Sequence, residues 1–148
     1  MRSTSGRLAP LLLTIACSGG AAAPANTPPQ YTPGVVEEPI TALLVAALDA
    51  DRQFATADSL WDPEATVVAN GSSRYAPPRF AGIDAGGEVA ITSSRLEVRQ
   101  SLVWVYFDYR WISVKEGIAR EGKATVLLSP RAEGAGWRII HLHSSTGQ

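Results

Sequence analysis

Two histidines stand one residue apart near the end of the chain, in GWRIIHLHSS (136–145), and the 148 residues contain no others. Trp137, Ile139, His141 and His143 recur at every second position. An extended strand would aim all four side chains to one face. Imidazole titrates near neutrality, so it serves as acid, base or metal ligand. Upstream, Trp104, Tyr106 and Asp108 alternate in the same way and would share one strand face: a carboxylate base beside two hydrogen-bond donors. Arg120, in AREGKAT, has the parity of Ile118, Ala124 and Val126. If that parity faces inward, its guanidinium can grip a carboxylate ligand with two parallel hydrogen bonds.

Three roles compete for these residues. The histidines can be packed and bonded to backbone or to Ser145, with Asp108 solvated and Arg120 on the surface beside Asp108 or Glu121. They can share a metal ion, but zinc takes three or four ligands and Asp108 is the best third candidate, so the sequence fixes no metal set. Or Asp108 or a histidine can act as base, with Tyr106 or Trp104 as donor. The chain has no phosphate-binding glycine loop, no G-x-S-x-G elbow and no cofactor signature. Net charge is −1, with no cluster of Lys or Arg, which argues against a nucleic-acid partner.

The elements that must position these groups begin late. Residues 1–20 read MRSTSGRLAPLLLTIACSGG. Arg2 and Arg7 precede a short apolar run from Leu8 to Ala16, too short for a bilayer, which needs ~20 residues. It fits the apolar region of an export signal. LTIAC at its end resembles the lipobox of bacterial lipoproteins, which implies that Cys17 is lipidated and becomes the mature N-terminus. Ser18, where aspartate would resemble an inner-membrane retention signal, implies the outer membrane; simple secretion or a periplasmic location is the alternative. Cys17 is the one cysteine, so no intramolecular disulfide can form. Residues 18–38 are rich in Pro, Ala and Gly, and read as a flexible tether.

The domain, 39–148, is expected to open with a helix at Pro39, a residue suited to a first helical position. Leu43, Ala47, Ala50, Phe54, Ala57 and Trp61 form its stripe, with Asp49, Asp51, Arg52 and Asp58 largely off it. ATVVA (65–69) reads as a strand and NGSS (70–73) as a turn. Residues 74–91 read as loops, with a short strand near 79–81. Three long strands follow: 94–114, 117–130 and 137–145. Helix first and antiparallel sheet afterwards gives an α+β fold.

This order, with DSLWDPEATV (58–67) and GWRIIHLHSS, resembles the NTF2-like superfamily, and within it the SnoaL-like or DUF4440-type proteins related to ketosteroid isomerase. The resemblance covers about residues 39–145. It implies a cone: a curved antiparallel sheet wrapped around N-terminal helices, with a pocket between. The pocket candidates are then His141, His143, Arg120, Asp108, Tyr106, Trp104 and Trp61, for a small hydrophobic or anionic ligand. Val103, Val105, Phe107, Tyr109 and Trp111 would form an outer apolar strip, and the superfamily's habit of pairing through that sheet face implies a homodimer. An exported binding domain is the leading expectation. An acid–base enzyme of isomerase, cyclase or hydratase type and an envelope adaptor are the alternatives.

Overall fold

The computed structural model describes residues 33–132 and 136–147, with side chains from Val36 onward. The signal-like segment, Cys17 and most of the proposed tether lie outside the described residues.

Helix α1 (Pro33–Arg52) begins before Pro39 and carries that proline within it. Its buried side is Val36, Ile40, Leu44, Ala47 and Leu48, continued by Asp51. The stripe predicted from Leu43 through Trp61 shares only Ala47 with this buried side of α1. The helix also stops sooner than predicted. Phe54 and Ala57 take positive φ (54° and 45°), which an α-helix does not admit. A short 3₁₀ turn (Asp58–Leu60) then leads into strand β1 (Trp61–Ala69), so Trp61 packs from a strand.

Asn70 and Gly71 both take positive φ, the requirement of a tight hairpin turn, and return the chain as β2 (Ser72–Ser73). Residues 74–88 contain no strand at 79–81 and no helix. Four long strands follow: β3 (Val89–Arg99), β4 (Leu102–Ile112), β5 (Ala119–Pro130) and β6 (Trp137–Thr146). The run predicted as one strand, 94–114, is the end of β3, a turn and all of β4. Gln100 makes that turn with φ 55°, without any of the Gly, Asn or Pro residues that usually announce one.

The sheet order is β2-β1-β6-β5-β4-β3. Strand β1 runs parallel to β6 and all other neighbours are antiparallel, so the sheet is mixed. It is curved and unclosed and wraps α1, a cone with one N-terminal helix. The concave face of β4 is Val103, Val105, Phe107, Tyr109 and Trp111, all nearly inaccessible to solvent. This reverses the predicted outer strip. Trp104, Tyr106 and Asp108, predicted to face the pocket, lie on the convex side.

Candidate functional site

The centre of the cone is occupied by the chain itself. Phe80, fully buried, inserts from the 74–88 loop between Tyr109, Phe107 and Trp61, at ring-centroid distances of 5.8, 6.0 and 6.3 Å. These tilted and edge-on arrangements are favourable for aromatic pairs. Three polar side chains fasten the loop. The Oδ2 atom of Asp51 accepts the backbone N–H groups of Arg79 and Phe80, each at 2.6 Å. Ser144 Oγ accepts the Ala81 N–H at 2.9 Å, and the Tyr109 hydroxyl donates to the Ala81 carbonyl at 2.7 Å. The Arg79 guanidinium lies 4.6 Å from the Trp61 ring centroid and donates to the Thr56 carbonyl. Gly82 follows with φ +74°, and a Cβ there would stand 2.6 Å from the Trp111 ring and from Thr146. Only glycine lets the loop lie this close.

Asp51 is 1% exposed. Burial pushes its carboxyl up to about 6, and the N–H groups of Phe80 and Arg79 pull in the opposite direction. Burial likewise pushes the Tyr109 phenol above its ordinary value. Asp51, Tyr109 and Ser144 have the chemistry of an acid–base site, yet each bonds the loop that fills the hollow.

Sequence parity did not place the histidines correctly, and the reason is local. Between Ile139 and His141 the ladder slips: Ile139 pairs with Leu128, while His141 pairs with the adjacent Leu127. Ile140 is the extra residue of a β-bulge, which re-aims whatever follows it. Beyond it Leu142 and Ser144 face inward, and His141 and His143 face out. The same registers line up the convex face. One row runs Val68, His143, Thr125, Tyr106, Arg95; the next runs Thr66, His141, Leu127, Trp104, Glu97. The imidazoles thus stand at the middle of the outer face, two strands from the aromatic pair of β4.

The remaining candidates divide between the faces. Trp61 is inside, against Phe80. Arg120 does have the concave parity, opposite Trp111, but it sits at the exposed rim in an ion pair with Glu116 at 2.5 Å. Asp108 is outside, accepting from Lys123 Nζ and Ser93 Oγ at 2.9 Å each. The hydrogen bond from Lys123, and then that from Ser93, holds the Asp108 carboxyl below its ordinary range. Tyr106, Asp108, Lys123 and His143 border a shallow outer groove of about 300 Å³. Among the described residues no group of three His, Cys, Asp or Glu is placed to hold a metal ion. No described helix is long and apolar enough to cross a membrane.

Sequence reasoning missed Asp51, Tyr109, Ser144 and Phe80. A signal for Asp51 was present: it lies three and four residues after Leu48 and Ala47 and so continues their stripe. A carboxylate on an apolar helix face has to find donors, and here the loop supplies them.

No protein-family model matches the chain, and no curated protein matches it in sequence. Solved structures do match in fold. An NTF2-like superfamily protein from Salmonella enterica serovar Typhimurium superposes with a TM-score of 0.59 at 15% identity, covering 79% of this chain and 94% of that one. A Streptomyces avermitilis protein described as a candidate dehydratase of the NTF2-like family gives 0.60 at 16%, covering 79% and 99%. The association domain of C. elegans CaMKII gives 0.58 at 15%, covering 76% and 97%. The class is therefore an α+β cone, and the chain has the NTF2-like fold. At these identities the likeness extends to the fold alone.

Proposed function

We propose that this chain is an exported, lipid-tethered module of the bacterial cell envelope that works through the convex face of its sheet, where it pairs with a second copy. One observation carries this reading: Phe80 and its three aromatic neighbours fill the cone, so the hollow that a hydrophobic ligand would need is taken by the chain's own loop. Among the described residues, none is packed over the convex face. Trp104, Tyr106 and Leu127 lie partly exposed there, in register with the histidines. An aromatic centre with a charged rim of Arg95, Glu97 and Lys123 is the usual composition of a protein interface. The C. elegans association domain shows that the fold is used in a protein named for association. Export and the anchor rest on residues 1–32, which precede α1: a charged start, a short apolar run, Cys17 and a proline-rich stretch that reads as a tether holding the domain off a membrane.

Sedimentation of the full chain in detergent tests the pairing. The expected species is a dimer, converted to monomer by Leu127→Glu or Tyr106→Glu with the fold intact. A monomer at every concentration removes the reading. Mass spectrometry of the mature N-terminus is expected to find diacylglyceryl on Cys17, and Cys17→Ser is expected to release the protein from the membrane fraction.

A further inference from the structure

His141 and His143 are the only imidazoles in the chain, and among the described residues neither has a hydrogen-bond or ion-pair partner. Both follow the Ile140 bulge, where the ladder is regular again on either side. His141, Leu142 and His143 pair in step with Leu127, Val126 and Thr125 of β5, and with Thr66, Val67 and Val68 of β1. Two neighbouring strands thus fix this stretch of β6, and the imidazoles start from backbone positions about 6.8 Å apart on one face. Side chains at that spacing can lean together onto one ion, with each nitrogen ~2.0–2.1 Å away if the ion is zinc. The residues directly beside them are Thr66, Val68, Leu127 and Thr125, none of them charged. Lys123, one place further along β5 on this face, is engaged by Asp108 at 2.9 Å, and Glu97 is engaged by Arg95 and Arg99. The pair therefore offers two nitrogen ligands with no carboxylate or ammonium directly opposite.

One chain leaves such a site incomplete. Zinc takes three or four ligands, and among the described residues no third His, Cys, Asp or Glu stands with this pair. A second copy would supply the rest. The sheet order places β6 and β5 at its centre. In an isologous pair the same patch meets itself across a two-fold axis, so side chains near the axis face their own copies. Pairing through the middle of the convex face brings the two histidines of one chain opposite the same two of the other, with Trp104 and Tyr106 flanking them. Four nitrogens then surround one point. We propose that the paired convex faces bind a single divalent ion of zinc's class through His141 and His143 of both copies, and that the ion tightens the pair. The ligand set is complete only in the dimer, so the site rests on the convex-face pairing proposed above. Ligation by nitrogen alone suits zinc and its transition-metal neighbours rather than calcium and magnesium, which take oxygen.

Sedimentation equilibrium of the full chain in detergent, with EDTA and with micromolar Zn²⁺, tests this beside a zinc titration. Zinc is expected to tighten pairing about tenfold or more, because it binds the dimer and not the monomer. Binding should saturate at one ion per two chains, and Ca²⁺ or Mg²⁺ should have no effect. His141→Gln and His143→Gln, both on the outer face, should each remove the response to zinc while the melting temperature in EDTA stays that of the parent. A dimer that Leu127→Glu dissociates but that zinc leaves unmoved overturns the metal site and leaves the pairing standing. Zinc bound at one ion per chain, or a response that survives both substitutions, also overturns the site. A chain that is monomeric in EDTA and in zinc alike overturns the site and the pairing together.

Discussion

The two faces of this sheet carry similar side chains and use them differently. Inside, Phe80, Phe107, Tyr109, Trp111 and Trp61 make one closed aromatic cluster around a loop. Outside, Trp104 and Tyr106 stand in register with Leu127, Thr125 and the two histidines, and no described element packs over them. The difference lies in what each face is offered. The inner one receives a loop whose backbone N–H and C=O groups are met by Asp51, Ser144 and Tyr109. Among the described residues the outer one receives no loop or helix. A cone that folds its own chain into the centre has its free apolar surface on the convex side.

The largest expected effect comes from exchanging aromatic residues across that boundary. Phe80→Ala empties the centre and should cost about 3–5 kcal/mol in denaturant unfolding. Tyr106→Ala, on the exposed side, should change the stability of the unpaired chain by about 0.5 kcal/mol or less while weakening pairing. Equal costs at the two positions would erase the distinction between filled and free faces.

Asp51 sharpens the inner half. Asp51→Ala leaves the Arg79 and Phe80 N–H groups without an acceptor and should cost about 1–3 kcal/mol. Asp51→Asn behaves differently, because the folded carboxyl is raised to about 6 from an ordinary 3.8. The folded state therefore holds the proton more tightly than the unfolded one. The stability Asp51 contributes in its neutral form is complete below about pH 4 and is lost as pH rises through about 6, a change on the order of 3 kcal/mol. The amide keeps an acceptor and never ionises. It should remove that decline between pH 4 and 6 and leave the variant no less stable than the parent at pH 7, as followed by urea midpoints across pH.

The smallest effect belongs to the convex face. Lys123→Gln removes the first cause of the depressed Asp108 carboxyl, which should then titrate closer to the ordinary range by NMR. An exposed pair of this kind contributes little to stability, so the urea midpoint should not move.

Much of the architecture was legible. The helix, the Asn-Gly turn, a breaker-rich segment after it and the closing strands follow from periodicity and turn chemistry, and the α+β class from their order; the cone was implied by the resemblance to the NTF2-like superfamily. The failures share a physical cause: each depends on a single residue whose effect is not local in sequence. Gln100 makes a turn without turn chemistry, so two strands read as one. Ile140 is one extra residue, and it reverses the direction of both imidazoles. A reversed face is the standard consequence of a one-residue slip in a period-two structure. Asp51 was set off the predicted stripe, whereas the observed buried side of α1 includes it; the donors that make its burial tolerable come from a loop 28 residues away. The convex face was assigned to the pocket for the same reason: strand alternation gives two faces but not which one is concave.

The account rests on the loop being a permanent occupant of the cone rather than a lid. Amide hydrogen exchange measures this directly at Arg79, Phe80 and Ala81, whose N–H groups are bonded to Asp51 and Ser144. Protection at these three amides close to that of the central β4 amides is the expected result, since they should open only when the domain unfolds. Exchange at rates typical of exposed loops would mean that the cone empties readily, and the convex face would lose its claim to be the working surface.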